Sequence, residues 1–251
     1  MSRAAAGPRV EIAPDAEALA RLAAAHVAGR AAAAASARGR FSLALAGGST
    51  PRRTYQLLAE PPHREAVPWD RVEVFFGDER CVPPGDPGSN HRMAREALLG
   101  RVPIPEGRIH RIRGEAPDPE AAAAEYEEEL RAALGPGARL DLVLLGMGTD
   151  GHVASLFPGS DALGETSRLV RAVVAPVPPP RRITLTLPAL AAAAEVAFLV
   201  AGADKAERVA EVLGGLDPAL PAARVRPAGG VLWLLDAAAA SRLPAGATRA
   251  R

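Results

Sequence analysis

The sequence predicts an α/β fold built on one doubly wound, mostly parallel sheet with helices on both faces, and three observations predict it. Short apolar runs recur along all 251 residues, each read as a buried strand. Ala-rich or amphipathic stretches of helical period separate them. Glycine turns join strand to following helix, the punctuation of strand–turn–helix units. A chain of this length with 48% hydrophobic residues can bury a sizeable core, and no compositional break divides it, so 1–251 is read as one domain.

The elements follow in order. VEIAP, Val10 to Pro14, is a short strand, and Asp15 to about Ala37 an Ala-rich helix with Leu19, Leu22 and Val27 at near-helical spacing. FSLALA, Phe41 to Ala46, is a buried strand; GGST, Gly47 to Thr50, breaks it, and PRRTYQLLAE opens a helix with Pro51 near its first position. RVEVFF, Arg71 to Phe76, runs into the loop GDERCVPPGDPGSN and the helical HRMAREALLG. LDLVLL, Leu140 to Leu145, runs into GMGTDGHVASLFPG, where a small-residue helix is expected to start after His152. PVPPP, Pro176 to Pro180, is a stiff connection flanked by apolar strand patterns. RITLTLPAL, Arg182 to Leu190, and EVAFLVAG, Glu195 to Gly202, are further strands; KAERVAEVL is a helix, and VLWLLD, Val231 to Asp236, precedes a last Ala-rich helix. In a doubly wound sheet ligands bind beyond the carboxyl ends of the strands, and the polar motifs of this chain sit there.

Composition narrows the partners. Thirty basic and twenty-nine acidic side chains leave a net charge of +1, which offers no broad field to a nucleic acid backbone or an anionic membrane. Any anion must be held locally. The single cysteine, Cys81, cannot form an internal disulfide and reads as a small buried hydrophobe. No apolar run approaches the roughly 20 residues of a membrane span, and no leader pattern opens the chain, so a cytoplasmic protein is expected.

Four motifs carry chemistry. GGST lacks the lysine of a nucleotide P-loop, and glycine turns are common punctuation. Yet Gly47 and Gly48 let backbone amides approach an anion, Ser49 and Thr50 add hydroxyls, and a helix start adds positive partial charge. Lys205 is the only lysine among the basic residues and also opens a helix; a compact ammonium is not replaced by a planar guanidinium in a tight site. GDER sets Asp78, Glu79 and Arg80 directly after a strand, at the edge where long loops are functional; a self-paired, solvated turn is the plainer alternative. His152 alone among the five histidines follows a strand, three glycines and an acid. No second ligand at metal spacing accompanies it, so general base chemistry, with Asp150 orienting the imidazole, is preferred to a metal site. Ser155, three residues on, is a rival nucleophile, but the chain has no GxSxG elbow.

Taken in order, GGSTP, GDERCVP with SNHRMA, GMGTDGHVASLFPG, RRITLTLP and AGADK resemble the 6-phosphogluconolactonase family over nearly the whole chain. The resemblance implies a Rossmann-like sheet needing no cofactor, shared with glucosamine-6-phosphate deaminases and ribose-5-phosphate isomerases, and hydrolysis of the δ-lactone made by the first oxidation of the pentose phosphate pathway. It implies His152 as the base activating water, Asp150 beside it, and Arg80 positioning the substrate near the reacting carbonyl. It implies substrate or phosphate binding by Gly47, Gly48, Ser49, Thr50, Asp78, Asn90, Arg182 and Lys205. The expected partner is a small phosphosugar lactone, with assembly as a monomer or small homo-oligomer. Two rivals are a sugar-phosphate deaminase or isomerase, and a non-catalytic sugar-phosphate sensor. Deaminases typically carry tyrosine after the DE pair and an FNEP-like stretch after DGH, where this chain has Arg80 and SLFP. A sensor would carry a DNA-binding helix-turn-helix, and the expected first strand begins almost at once.

Overall fold

The computed structural model describes residues 8–135 and 137–244. Along the chain the strands are β1 (Arg9–Ala13), β2 (Phe41–Leu45), β3 (Val72–Phe76), β4 (Asp78–Arg80), β5 (Leu142–Leu145), β6 (Val170–Val174), β7 (Arg181–Leu185), β8 (Val196–Val200) and β9 (Val231–Asp236). Six form a parallel sheet in the order β1-β9-β8-β5-β2-β3. Strands β2, β5 and β8 are buried throughout, as parallel strands covered on both faces must be.

The helices are α1 (Ala16–Arg38), α2 (Ser49–Leu58), α3 (His63–Ala66), α4 (Asn90–Ala94), α5 (Pro119–Leu134), α6 (Leu187–Ala192), α7 (Ala206–Gly214) and α8 (Pro221–Arg224). Asp15 caps α1 by accepting the Ala18 N–H at 2.7 Å, and Gly39, at φ +75°, ends it in the left-handed region. The chain leaves β2 toward β3 on one side and β5 toward β8 and β9 on the other. Right-handed crossovers then put α1 and α2 on one face and α7 on the opposite face. The reversal falls between neighbouring strands β2 and β5, and the crevice beyond their carboxyl ends is where such a sheet offers a binding site.

A second, antiparallel sheet of order β4-β7-β6 departs from the sequence expectation. The sequence places GDER in a loop, but Asp78–Arg80 is a short strand paired with β7. Gly77 joins the sheets: its N–H donates to Leu45 O of β2 at 2.8 Å, and its carbonyl accepts from Leu185 N–H of β7 at 2.8 Å. RITLTLPAL is not one strand. Thr186 stops it by capping α6, its hydroxyl accepting the Ala189 N–H at 3.4 Å, and Pro188 fits the helix's first turn.

Other boundaries also move. Helix α2 begins at Ser49, two residues before Pro51. HRMAREALLG is α4 followed by a π-helical turn at Arg95–Leu99, closed by Gly100 N–H to Arg95 O at 2.9 Å. No helix starts after His152, because Val153 and Leu156 bridge each other in a tight turn with Ala154 at φ +48°. The expected last helix is a run of turns after Asp236, whose carboxylate accepts the Ala239 N–H at 2.7 Å; residues 245–251 of that expectation lie outside the described residues. The motif reading passes over PEAAAAEYEEELRAAL, which forms α5 and sends its Tyr126 hydroxyl to the backbone of Phe76. Among the described residues no helix is long and apolar enough to cross a membrane.

Candidate active site

A cavity of about 490 Å³ opens beyond the carboxyl ends of β2, β3, β5 and β8. Of the residues singled out from sequence, Gly47, Gly48, Ser49, Thr50, Asp78, Arg80, Asn90, His152, Arg182 and Lys205 all line it. Asp150 does not, and reaches the cavity only through His152.

His152 is held by the loop Gly146–Gly159. Asp150 Oδ1 lies 2.6 Å from the imidazole Nδ1 and accepts the His152 N–H at 3.1 Å. Burial pushes the Asp150 carboxyl up, but its bonds to the backbone and ring of His152 and the charge of that ring hold it below the ordinary value. It is therefore a carboxylate at neutral pH and only accepts, so in a neutral imidazole the hydrogen belongs on Nδ1 and the lone pair on Nε2. Gly148 makes this pairing possible: a Cβ there would stand 2.1 Å from His152 Nδ1 and 2.5 Å from Asp150 Oδ1. Ser155, the rival nucleophile, is fully buried and does not line the cavity; its hydroxyl donates to Asp78 Oδ2 at 2.6 Å.

Two guanidiniums meet at one side. Arg80 and Arg182 are directly opposed across the β4–β7 pair, so both leave the same sheet face. Arg80 Nη1 donates to Gly88 O at 2.5 Å, and Arg182 Nε to Pro179 O at 3.0 Å, so a Pro-rich loop carbonyl anchors each. Burial pulls the Arg182 guanidinium below its ordinary value; Asp78 opposes this and Arg80 adds to it. An anion seated between the two would relieve that repulsion.

The other cationic wall combines a helix start and an ammonium. No side chain caps α2, so the positive end of its dipole faces the cavity from Gly48, Ser49 and Thr50. Gly48 has φ +109°, which favours glycine. Lys205 stands immediately before α7 with its Nζ 3.3 Å from Asp204 Oδ2, also a cavity residue.

Asp78 and Asn90 line the cavity but chiefly hold each other. Asn90 Nδ2 donates to Asp78 O at 2.9 Å and Oδ1 at 3.0 Å, and a Cβ at Gly47 would stand 2.2 Å from Asn90 Oδ1. Sequence reasoning overlooked the part of Glu79. Buried at the root of the loop, it accepts from Arg80 N–H, Asn90 N–H, Ser89 Oγ and His91 N–H at 2.8–2.9 Å. Burial raises its pKa, with those bonds opposing. Its place inside DER, directly after the apolar run RVEVFF, is the sequence signal that could have found it.

The match to known proteins is broad. The family model described as glucosamine-6-phosphate isomerases/6-phosphogluconolactonase matches residues 14–233. A 6-phosphogluconolactonase of Streptomyces coelicolor is 43% identical over 94% of this chain and 95% of its own length. One of Mycobacterium tuberculosis is 42% identical over 94% and 98%. Among solved structures, the 6-phosphogluconolactonase of Thermotoga maritima superposes with a TM-score of 0.81 at 33% identity, covering 91% of this chain and 99% of that one. A monomeric glucosamine-6-phosphate deaminase superposes at 0.80 with 25% identity, over 93% and 99%.

Proposed function

The chain belongs to the glucosamine-6-phosphate isomerase/6-phosphogluconolactonase family, and from that premise we propose that it hydrolyses 6-phospho-D-glucono-1,5-lactone to 6-phospho-D-gluconate, the second step of the oxidative pentose phosphate pathway. The observation that carries this reading is the Asp150–His152 pair at the wall of a cavity with cationic groups on two sides. The substrate phosphate sits at the α2 start and Lys205, a helix-dipole and point-charge seat suited to a dianion. His152 Nε2 takes a proton from water as the water oxygen bonds to the lactone carbonyl carbon. Arg80 offsets the charge growing on the carbonyl oxygen. The imidazolium then gives its proton to the ring oxygen as the ring C–O bond breaks, leaving an open-chain acid that ionises.

Freshly prepared lactone hydrolysed with and without the protein, followed by proton release with the spontaneous rate subtracted, tests the reaction. A rate well above background is expected. His152→Gln is expected to lose on the order of 10²–10⁴-fold in kcat while still binding 6-phosphogluconate, the span of a positioned general base. Wild-type turnover in that variant removes His152 from the chemistry. Because the same fold carries a deaminase, glucosamine-6-phosphate belongs in the assay, and no ammonia release is expected from it.

A further inference from the structure

Phe157, in the SLFP stretch behind His152, does not line the cavity and is 4% exposed, yet it touches two residues that do. Its ring stacks on the His152 imidazole with centroids 4.3 Å apart and planes inclined by 29°. The Arg182 guanidinium carbon lies 5.6 Å from the centroid of the same ring. One aromatic side chain therefore contacts both the catalytic imidazole, on the loop that follows β5 of the parallel sheet, and one of the two guanidiniums, on β7 of the antiparallel sheet.

We propose that Phe157 is a positioning residue that fixes the plane of the His152 imidazole and its placement relative to Arg182. This rests on His152 being the base. The Asp150 bond to Nδ1 fixes one edge of the imidazole, but a single hydrogen bond leaves the ring free to swing about that axis. Swinging moves Nε2 away from the line along which it takes the proton. A flat hydrocarbon face packed against the imidazole removes that freedom, and the aromatic quadrupole favours cations lying on it: the imidazolium formed during turnover and the guanidinium. Phe157 is itself rigidly mounted. Two residues earlier, Ser155 is bonded to Asp78 and Thr184, Leu156 bridges Val153, and the Phe157 carbonyl accepts the Ser160 N–H at 3.0 Å. The small sheet's strands β4 and β7, which carry the guanidiniums, thus hold the far side of the loop that carries the imidazole.

The test compares Phe157→Leu, which keeps apolar bulk and deletes the flat face, with Phe157→Tyr, which keeps the face, each in wild-type and His152→Gln backgrounds. Melting temperature and 6-phosphogluconate affinity are measured beside kcat and KM. Phe157→Leu is expected to lower kcat by about 10- to 100-fold, the scale of a misaligned catalytic group. Phe157→Tyr should recover most of it. In the His152→Gln background Phe157→Leu should cost little further kcat, because there is no base left to aim. Should Phe157→Leu fail to fold, Phe157→Met is read in its place. Full kcat in the Leu variant, or an equal loss in both backgrounds, would overturn the proposal alone. His152→Gln at wild-type rate would overturn the base assignment and the proposal with it.

Discussion

His152 and Ser155 lie three residues apart on one loop, and their surroundings give them opposite tasks. The imidazole edge that Asp150 leaves free belongs to a cavity wall, while the serine hydroxyl is sealed inside and satisfies Asp78. Ser155→Ala should therefore damage the fold more than the chemistry. Removing a buried hydroxyl from a carboxylate costs about 1.5–3 kcal/mol. A lowered urea midpoint with kcat within a few-fold of wild type is the expected result; a loss of several orders in kcat with stability intact would make Ser155 a nucleophile. The sequence singles out His152 for the proposed base because it alone of the five histidines stands among glycines. It hid the confinement of Ser155, because burial of a serine depends on β4 and β7, which lie far from it in the chain.

Among the elements, the strands of the parallel sheet were legible as apolar runs, but their spatial order, and with it the switch point between β2 and β5, came only from the fold. The small sheet was not. DER is three charged residues whose strand character comes from pairing with a segment about a hundred residues later, and the end of β7 is set by a threonine cap inside an apolar run. Glu79 shows what that pairing organises: one carboxylate gathers Arg80, Ser89, Asn90 and His91, closing the Pro-rich loop onto its own root. Glu79→Gln turns one acceptor into a donor facing N–H and O–H groups. It should open residues 82–89 to limited proteolysis and lower kcat/KM several-fold, whereas an unchanged digestion pattern and unchanged kinetics would deny Glu79 this role. Helices α1 and α2 are joined differently, by Arg53 bonding both oxygens of Glu17 at 2.7 and 2.8 Å. Arg53 is the main cause that holds the Glu17 carboxyl down at about 2. With the folded pKa depressed, the stabilisation is present above the unfolded carboxyl value and lost as pH falls toward the folded one. The urea midpoint of Glu17→Gln should lie slightly below wild type at pH 6, and the two should converge as pH drops from about 4.5 toward 2. A gap that persists at the acid end would trace to packing instead of charge. The pair is partly open to solvent, which screens it, so the difference is small.

At the scale of the whole molecule, a chain with a net charge of +1 places positive groups on two sides of one cavity, and each side belongs to a different part of the architecture. The α2 start and Lys205 follow strands β2 and β8 of the parallel sheet, while Arg80 and Arg182 ride on the antiparallel one. A ligand with a phosphate at one end and a carboxylate at the other can bridge them; the product of the proposed reaction has that form, and the neutral lactone ring only half of it. Binding that ties two sheets together stabilises the folded state by mass action, about 2.7 kcal/mol at a hundredfold excess over Kd. For a chain of this size that raises Tm by roughly 5–10 °C. The rise with 6-phosphogluconate should be the same in wild type and His152→Gln, since a base acts on the chemical step and not on the phosphate. Lys205→Ala should lose most of it and show a raised KM for the phosphorylated lactone, and Lys205→Arg should restore only part, because the larger planar group places its donors differently. Unphosphorylated gluconate should barely move the wild-type Tm. If Lys205→Ala is stabilised by 6-phosphogluconate as strongly as wild type, the phosphate is held elsewhere in the cavity, and the paired guanidiniums of Arg80 and Arg182 become its seat.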